Sequence, residues 1–183
     1  MRFVRSTMGW TLCTLLVLGV ATLGAQKVIK KTGGQAGSPH ETVEYTVQGA
    51  KITVSYGRPF LKARKMLSEV APAGKIWRTG ADEATTLTTD KTLMIGSLMI
   101  PAGTYTLYTV PDATAWKLVV SKQTGQWGTE YSEDKDLGRT DLKVEKLPKP
   151  VEQVTISFTE AGGSPTFNID WGTTRATAPL MVH

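Results

Sequence analysis

The residues best suited to chemistry gather between positions 57 and 83. There Arg58, Lys62, Arg64, Lys65, Lys75 and Arg78 precede Asp82 and Glu83. Within the run, KIWRTGADEAT (75–85) places an indole, a guanidinium, a flexible glycine and two carboxylates side by side. A guanidinium is a planar fork of donors that matches carboxylate, sulfate or phosphate. An indole face can stack on a sugar or cap a pocket. Arg58, Arg64, Trp77, Arg78 and Glu83 are therefore the candidate binding residues for a small polar or glycan-like ligand. A second reading of the same residues stays open. An arginine–carboxylate network would pin an irregular loop to the fold, with Trp77 as ordinary core.

Other chemistries find less support. Glycoside hydrolysis needs a pair of carboxyl groups flanking one bond. Asp82 and Glu83 are adjacent, and on a regular strand adjacent side chains point to opposite faces. Histidine occurs only as His40, in a glycine-rich segment, and as the last residue, His183. Neither position suggests a Ser-His-Asp triad or a multi-histidine zinc centre. There is no Gly-x-Ser-x-Gly elbow and no phosphate-cradling loop. Glu133, Asp134 and Asp136 offer oxygen ligands without a complete calcium pattern, so a solvated loop is expected. Trp127, between two glycines, is either a stacking platform or a plug against the sheet. No metal and no cofactor is expected.

The elements that must position these residues are strands. Ile52, Val54 and Tyr56 alternate with polar residues, as do Trp116, Leu118 and Val120. Val154, Ile156 and Phe158, then Phe167, Ile169 and Trp171, repeat the pattern. A period of two marks half-buried antiparallel strands. GTYTLYTV (103–110) is β-branched or aromatic on both faces and reads as a central strand. Gly96-Ser97 between two apolar runs predicts a tight hairpin. Pro111-Asp112 and Gly162-Gly163-Ser164-Pro165 predict two more reversals. Only Leu61 to Val70 could supply a helical turn or two. The expected fold class is all-β, an antiparallel sandwich, either of jelly-roll type or simpler.

The N-terminus carries an export pattern. Arg2 and Arg5 precede an apolar run from about Met8 to Gly24, and cleavage is expected after Ala25. An uncleaved membrane anchor is the alternative, although the run is short for a bilayer span. The expected divisions are residues 1–25 as signal peptide, 26–42 as flexible spacer and 43–183 as one folded domain. Export implies a periplasmic or extracellular protein with no stable membrane anchor after cleavage. Cys13, the only cysteine, would leave with the signal. The mature chain would then contain no thiol, disulfide or thiolate metal site. Of 21 basic and 16 acidic residues, removal of Arg2 and Arg5 leaves 19 against 16. That excess is too small to suggest nucleic acid as a partner.

Several segments in fixed order resemble the bacterial family catalogued as domain of unknown function 2911. They are SPHET (38–42), YGRPFLKARKM (56–66), KIWRTGADEATTLTTDK (75–91), IPAGTYTLYTVP (100–111), WKLVVSKQTGQWG (116–128) and VEQVTISF (151–158). The resemblance covers about Ser38 to Val182. It implies an exported, β-rich bacterial protein and no established activity. It places Arg58, Pro59, Arg64, Trp77, Arg78, Thr79, Gly80, Glu83 and Thr85 in family motifs. This chain departs at Ala63, where glycine is commoner, and at Asp82, where asparagine is common.

The function expected first is a non-enzymatic binding module for a small polar or glycan ligand. An enzyme using Glu83 as acid or base, acting on a cell-envelope substrate, is the alternative from a different class. A structural component of the envelope is the third.

Overall fold

The computed structural model describes residues 22–23, 25–34, 37–161 and 164–183. Most of the expected signal segment, residues 1–21 and 24, lies outside the described residues. The strands in chain order are β1 (Thr22–Leu23), β2 (Ala25–Gly33), β3 (Pro39–Val47), β4 (Ala50–Gly57) and β5 (Thr86–Thr89). They continue as β6 (Leu93–Ile95), β7 (Leu98–Ile100), β8 (Gly103–Val110) and β9 (Ala115–Ser121). Two long strands close the chain, β10 (Asp136–Ala161) and β11 (Ser164–Val182). Among the described residues, helix is confined to one π-helical turn at Met66–Val70 and one 3-10 turn at Glu133–Lys135. No helix among the described residues is long and apolar enough to cross a membrane.

The fold is all-β and antiparallel, as expected. Hydrogen bonds link the strands in the order β2-β3-β4-β5-β8-β9-β10-β11-β6-β7, with β1 pairing to β10. β8 is central and buries Tyr105 to Thr109 on both faces. Register shifts interrupt the β10–β11 ladder between Lys146 and Thr155. Such irregularities bend a strand, and the far half of β10 comes over β3. There the Tyr45 hydroxyl donates to the Ile156 carbonyl at 2.7 Å, and the Tyr45 and Phe158 rings meet edge-on at 5.1 Å.

The alternating residues named from the sequence form the core. Ile52, Val54, Leu118, Val120, Val154, Ile156, Phe158 and Phe167 are all fully buried. The predicted hairpin joins β6 to β7, with Ile95 opposite Leu98. Gly96 has φ of +58° there, and a Cβ at this position would lie 2.4 Å from the Thr140 hydroxyl. Positive φ and close approach both select glycine.

The segment expected as a spacer is different. Residues 25–33 and 39–47 are strands, paired to each other around Gly34 and Gly37. β2 is an edge strand, and its Lys27, Lys30 and Lys31 are exposed. Lysines on an edge discourage pairing with another chain, and the same charges conceal the strand in a hydropathy reading. The expected cut after Ala25 would remove β1 and leave β2 almost whole.

Candidate functional site

Two irregular segments meet beside the central strands. The first leaves β4 and runs from Arg58 to Lys65. Its backbone is held to β10 by the Leu61 amide on the Glu152 carbonyl and the Lys62 amide on the Glu152 carboxylate, each 2.8 Å. The second runs from Trp77 to Thr85. Trp77 and Thr109 exchange backbone hydrogen bonds, and the Thr79 hydroxyl donates to that of Thr109 at 3.1 Å. A third wall comes from the loop after β9. The Gly128 amide donates to the Asp82 carbonyl at 2.9 Å, and Glu83 forms an isolated bridge with Trp127.

Between these walls lies a cavity of about 660 Å³, within the usual size range for small-molecule sites. Lys62, Arg64 and Arg78 line it, together with one acid, Asp82, and with Trp77, Tyr108 and Tyr131. Among the described residues, no carboxylate lies within salt-bridge distance of any of these three cations. Arg78 donates one bond, from Nη1 to the Asp82 carbonyl at 3.2 Å. Arg64 turns back on its own loop and donates to the carbonyls of Leu61, at 3.0 Å, and Phe60.

Backbone strain concentrates in the same walls. Lys62, Ala63, Thr79 and Asp82 all have positive φ, between 51° and 62°. Only one other non-glycine residue, Gln48, does so among the described residues. The left-handed region costs an L-residue roughly 1–2 kcal/mol, and asparagine and aspartate tolerate it best. The two departures from the family pattern thus acquire a physical meaning. Position 63 favours glycine, and position 82 accepts either asparagine or aspartate.

The five residues nominated from the sequence do not form one site. Arg64, Trp77 and Arg78 line the cavity, whereas Arg58 and Glu83 do not. Every arm of Arg58 is engaged elsewhere. Nη1 donates to Glu41 at 2.6 Å, Nη2 to the Thr155 hydroxyl and Nε to the Val154 carbonyl, each 2.9 Å. Arg58 is a rivet joining β3, the end of β4 and β10. Trp77 is only 6% exposed. Its ring stacks on Trp171 at 5.3 Å and meets Trp116 edge-on at 6.1 Å. With one face stacked on Trp171 and the residue this buried, little of the indole is open to a sugar.

Glu83 is 60% exposed and belongs to a different group. His40, placed by the sequence reading in a flexible spacer, lies on β3 with its side chain 16% exposed. Its Nε2 is 3.0 Å from an Asp82 oxygen, and its Nδ1 is 3.4 Å from a Glu83 oxygen. Two adjacent acids reach one imidazole because Asp82 is left-handed, at φ 62°, and breaks the strand alternation assumed from the sequence. Sequence reasoning missed this cluster. A signal for it existed in the alternation of Val43, Tyr45 and Val47, which extends back through Glu41 along the same strand.

The acidic loop behaves as a self-contained network. Arg139 contacts Glu133 at 2.7 Å and Asp136 at 3.0 Å, and the Tyr131 hydroxyl donates to Asp136 at 2.8 Å. Burial, reinforced by the Asp136 hydrogen bond, pushes the Tyr131 hydroxyl up to about 12. Trp127 is half-buried, its backbone bridged to Glu83.

An all-β fold with a cation-lined cavity beside its central strands is the class that the geometry defines. The family model described as "Protein of unknown function (DUF2911)" matches residues 38–180, and the chain belongs to that family. Comparison with curated proteins and with solved structures gives no match.

Proposed function

We propose that this protein binds a small anionic ligand in the cavity lined by Lys62, Arg64 and Arg78. One observation carries the reading: three cations with no salt-bridged carboxylate among the described residues line a single open cavity. Cationic side chains on a surface usually find solvent or an acid. Three cations and one acid, Asp82, line the concavity, which leaves it a net positive field that an anion would neutralise. Guanidinium forks bind carboxylate, sulfate and phosphate oxygens through charge-assisted bonds. The apolar part of the lining, with Ile76 and Val70, suits a ligand whose charge sits on an organic body. The glycan-like ligand expected from the sequence keeps its place only in an acidic form, since Trp77 leaves little of its face open for stacking.

The test is a thermal-shift screen of the purified protein. Phosphate, sulfate, citrate, sugar phosphates and glucuronate are compared with neutral sugars of the same size. A ligand at about a hundred times its dissociation constant stabilises by roughly 2.7 kcal/mol. For a chain of this length that is a shift on the order of 5 to 11 °C. Shifts with anions and none with neutral analogues support the reading. Equal response to both classes, or none to either, defeats it.

The N-terminal pattern supports export, so the ligand would be met outside the cytoplasm. N-terminal sequencing of protein recovered from the periplasm or medium is expected to begin near Gln26. Recovery of the intact N-terminus only in cells would contradict export.

A further inference from the structure

We propose that His40 and Glu83, oriented by Asp82, form a site for a divalent transition cation, with Zn²⁺ as the fitting probe. This site shares Asp82 with the wall of the anion cavity, but its ligands His40 and Glu83 lie outside that cavity and its test does not depend on an anion. Among the described residues it is the one group of histidine and acid donors whose ligand atoms all lie within 4.8 Å of one another.

The donor types and their spacing fit the class of ion. Imidazole nitrogen and carboxylate oxygen are ligands shared by Zn²⁺ and its neighbours. Metal–ligand bonds of about 2.0–2.2 Å put two donors of a tetrahedral ion roughly 3.4 Å apart. His40 Nδ1 and the Glu83 oxygen are 3.4 Å apart. An ion takes one nitrogen of a ring, and here the two nitrogens are differentiated. Nε2 is held by Asp82 at 3.0 Å, which leaves Nδ1 and the exposed Glu83 to face the ion. A carboxylate on the far ring nitrogen fixes the tautomer and orientation of a metal-binding histidine.

Asp82 supplies the second line of argument. Its side chain is 3% exposed, and the one hydrogen bond its carboxylate accepts among the described residues comes from His40 Nε2 to Oδ2. Burying a carboxylate is costly unless charge or hydrogen bonds compensate it. One imidazole contact is sparse compensation, and a cation on the other side of that ring would complete it. Gly34 makes the contact possible, since a Cβ there would lie 2.3 Å from Asp82 Oδ2 and 2.6 Å from His40 Nε2. A pocket of about 240 Å³ opens onto His40 and Glu83, with the Thr42 and Ser55 hydroxyls on its wall. It has room for the waters that would fill the remaining coordination positions. Lys30 also lines this pocket and opposes a cation, which gives a variant of opposite sign.

The experiment is a Zn²⁺ titration of the chelator-treated protein by calorimetry, with Co²⁺ absorption as a second readout of imidazole–carboxylate coordination. One Zn²⁺ per chain is expected. His40→Ala should abolish binding, Glu83→Gln should weaken it at least tenfold, and Lys30→Ala should tighten it. His183→Ala, which removes the other histidine of the chain, should change nothing. Glu83 is exposed, so Glu83→Gln tests the site even where His40→Ala fails to fold. No saturable Zn²⁺ binding, or binding that keeps its affinity in Glu83→Gln or in folded His40→Ala, overturns the proposal.

Discussion

Arg58 and Arg78 belong to the two irregular segments that wall the cavity and differ in what surrounds their guanidinium groups. Arg58 donates from each of its three guanidinium nitrogens, to Val154, Glu41 and Thr155, and the half-buried cation ties three strands together. Arg78 spends one donor on the Asp82 carbonyl and keeps the rest toward a cavity that holds two more cations. Residue type is the same, and the family motifs contain both. The difference is compensation. An arginine whose charge is paired within the fold stabilises the fold, and one with no salt-bridged acid beside a concavity is, on the proposed reading, available to a ligand.

Breaking the first arginine should have the largest effect on stability. Arg58→Ala leaves the Glu41 carboxylate, only 10% exposed, with the flexible Lys31 as its remaining partner. A buried group stripped of its partner costs about 2–3 kcal/mol. Thermal denaturation should therefore show a midpoint lower by on the order of 4 to 12 °C. A midpoint unchanged within 2 °C of wild type would remove Arg58 from the structural side of the comparison.

A smaller effect sharpens the contrast from the cavity wall. Ala63→Gly relieves a left-handed alanine at φ 60°. Part of that gain is offset by the greater freedom of glycine in the unfolded chain. A net stabilisation of about 0.5–1 kcal/mol is expected from denaturant melts. A loss of stability would mean that the Ala63 methyl makes a contact worth more than the strain.

The gentlest probe is alkaline pH. Burial raises the hydroxyls of Tyr45, Tyr56 and Tyr108 above their ordinary value near 10, and Tyr131 rises to about 12. The unfolded chain then loses these protons before the folded chain does. Stability is complete below pH 10 and falls as pH rises from 10 toward 12. Melting midpoints across that range should decline, and Tyr131→Phe should make the decline shallower. A decline of equal slope in Tyr131→Phe would show that Tyr131 takes no part.

Much of the fold was legible because it rests on side chains that alternate. The β10–β11 hairpin, β4 and β9 each write their buried face into the sequence at a period of two. β2 was not legible, since an edge strand carrying Lys27, Lys30 and Lys31 has no apolar face to display. The candidate site was legible in part. The arginine-rich run supplies Lys62, Arg64 and Arg78 to the cavity wall, but composition cannot tell Arg58 from Arg78, because compensation depends on partners in β3 and β10. His40 was hidden by its setting among glycines. Its meeting with Asp82 and Glu83 depends on a left-handed backbone at Asp82 that no periodicity encodes.

The most direct measurement is calorimetric titration of wild type and Arg78→Ala with the anion giving the largest thermal shift. Arg78 makes one weak internal contact, so its removal should change stability by only about 0.5 kcal/mol. Loss of a charge-assisted contact to the ligand should lower affinity about tenfold or more. Wild-type binding should also weaken as salt is raised. Equal affinity in the two proteins, or binding indifferent to salt, would contradict the assignment of this cavity to an anion.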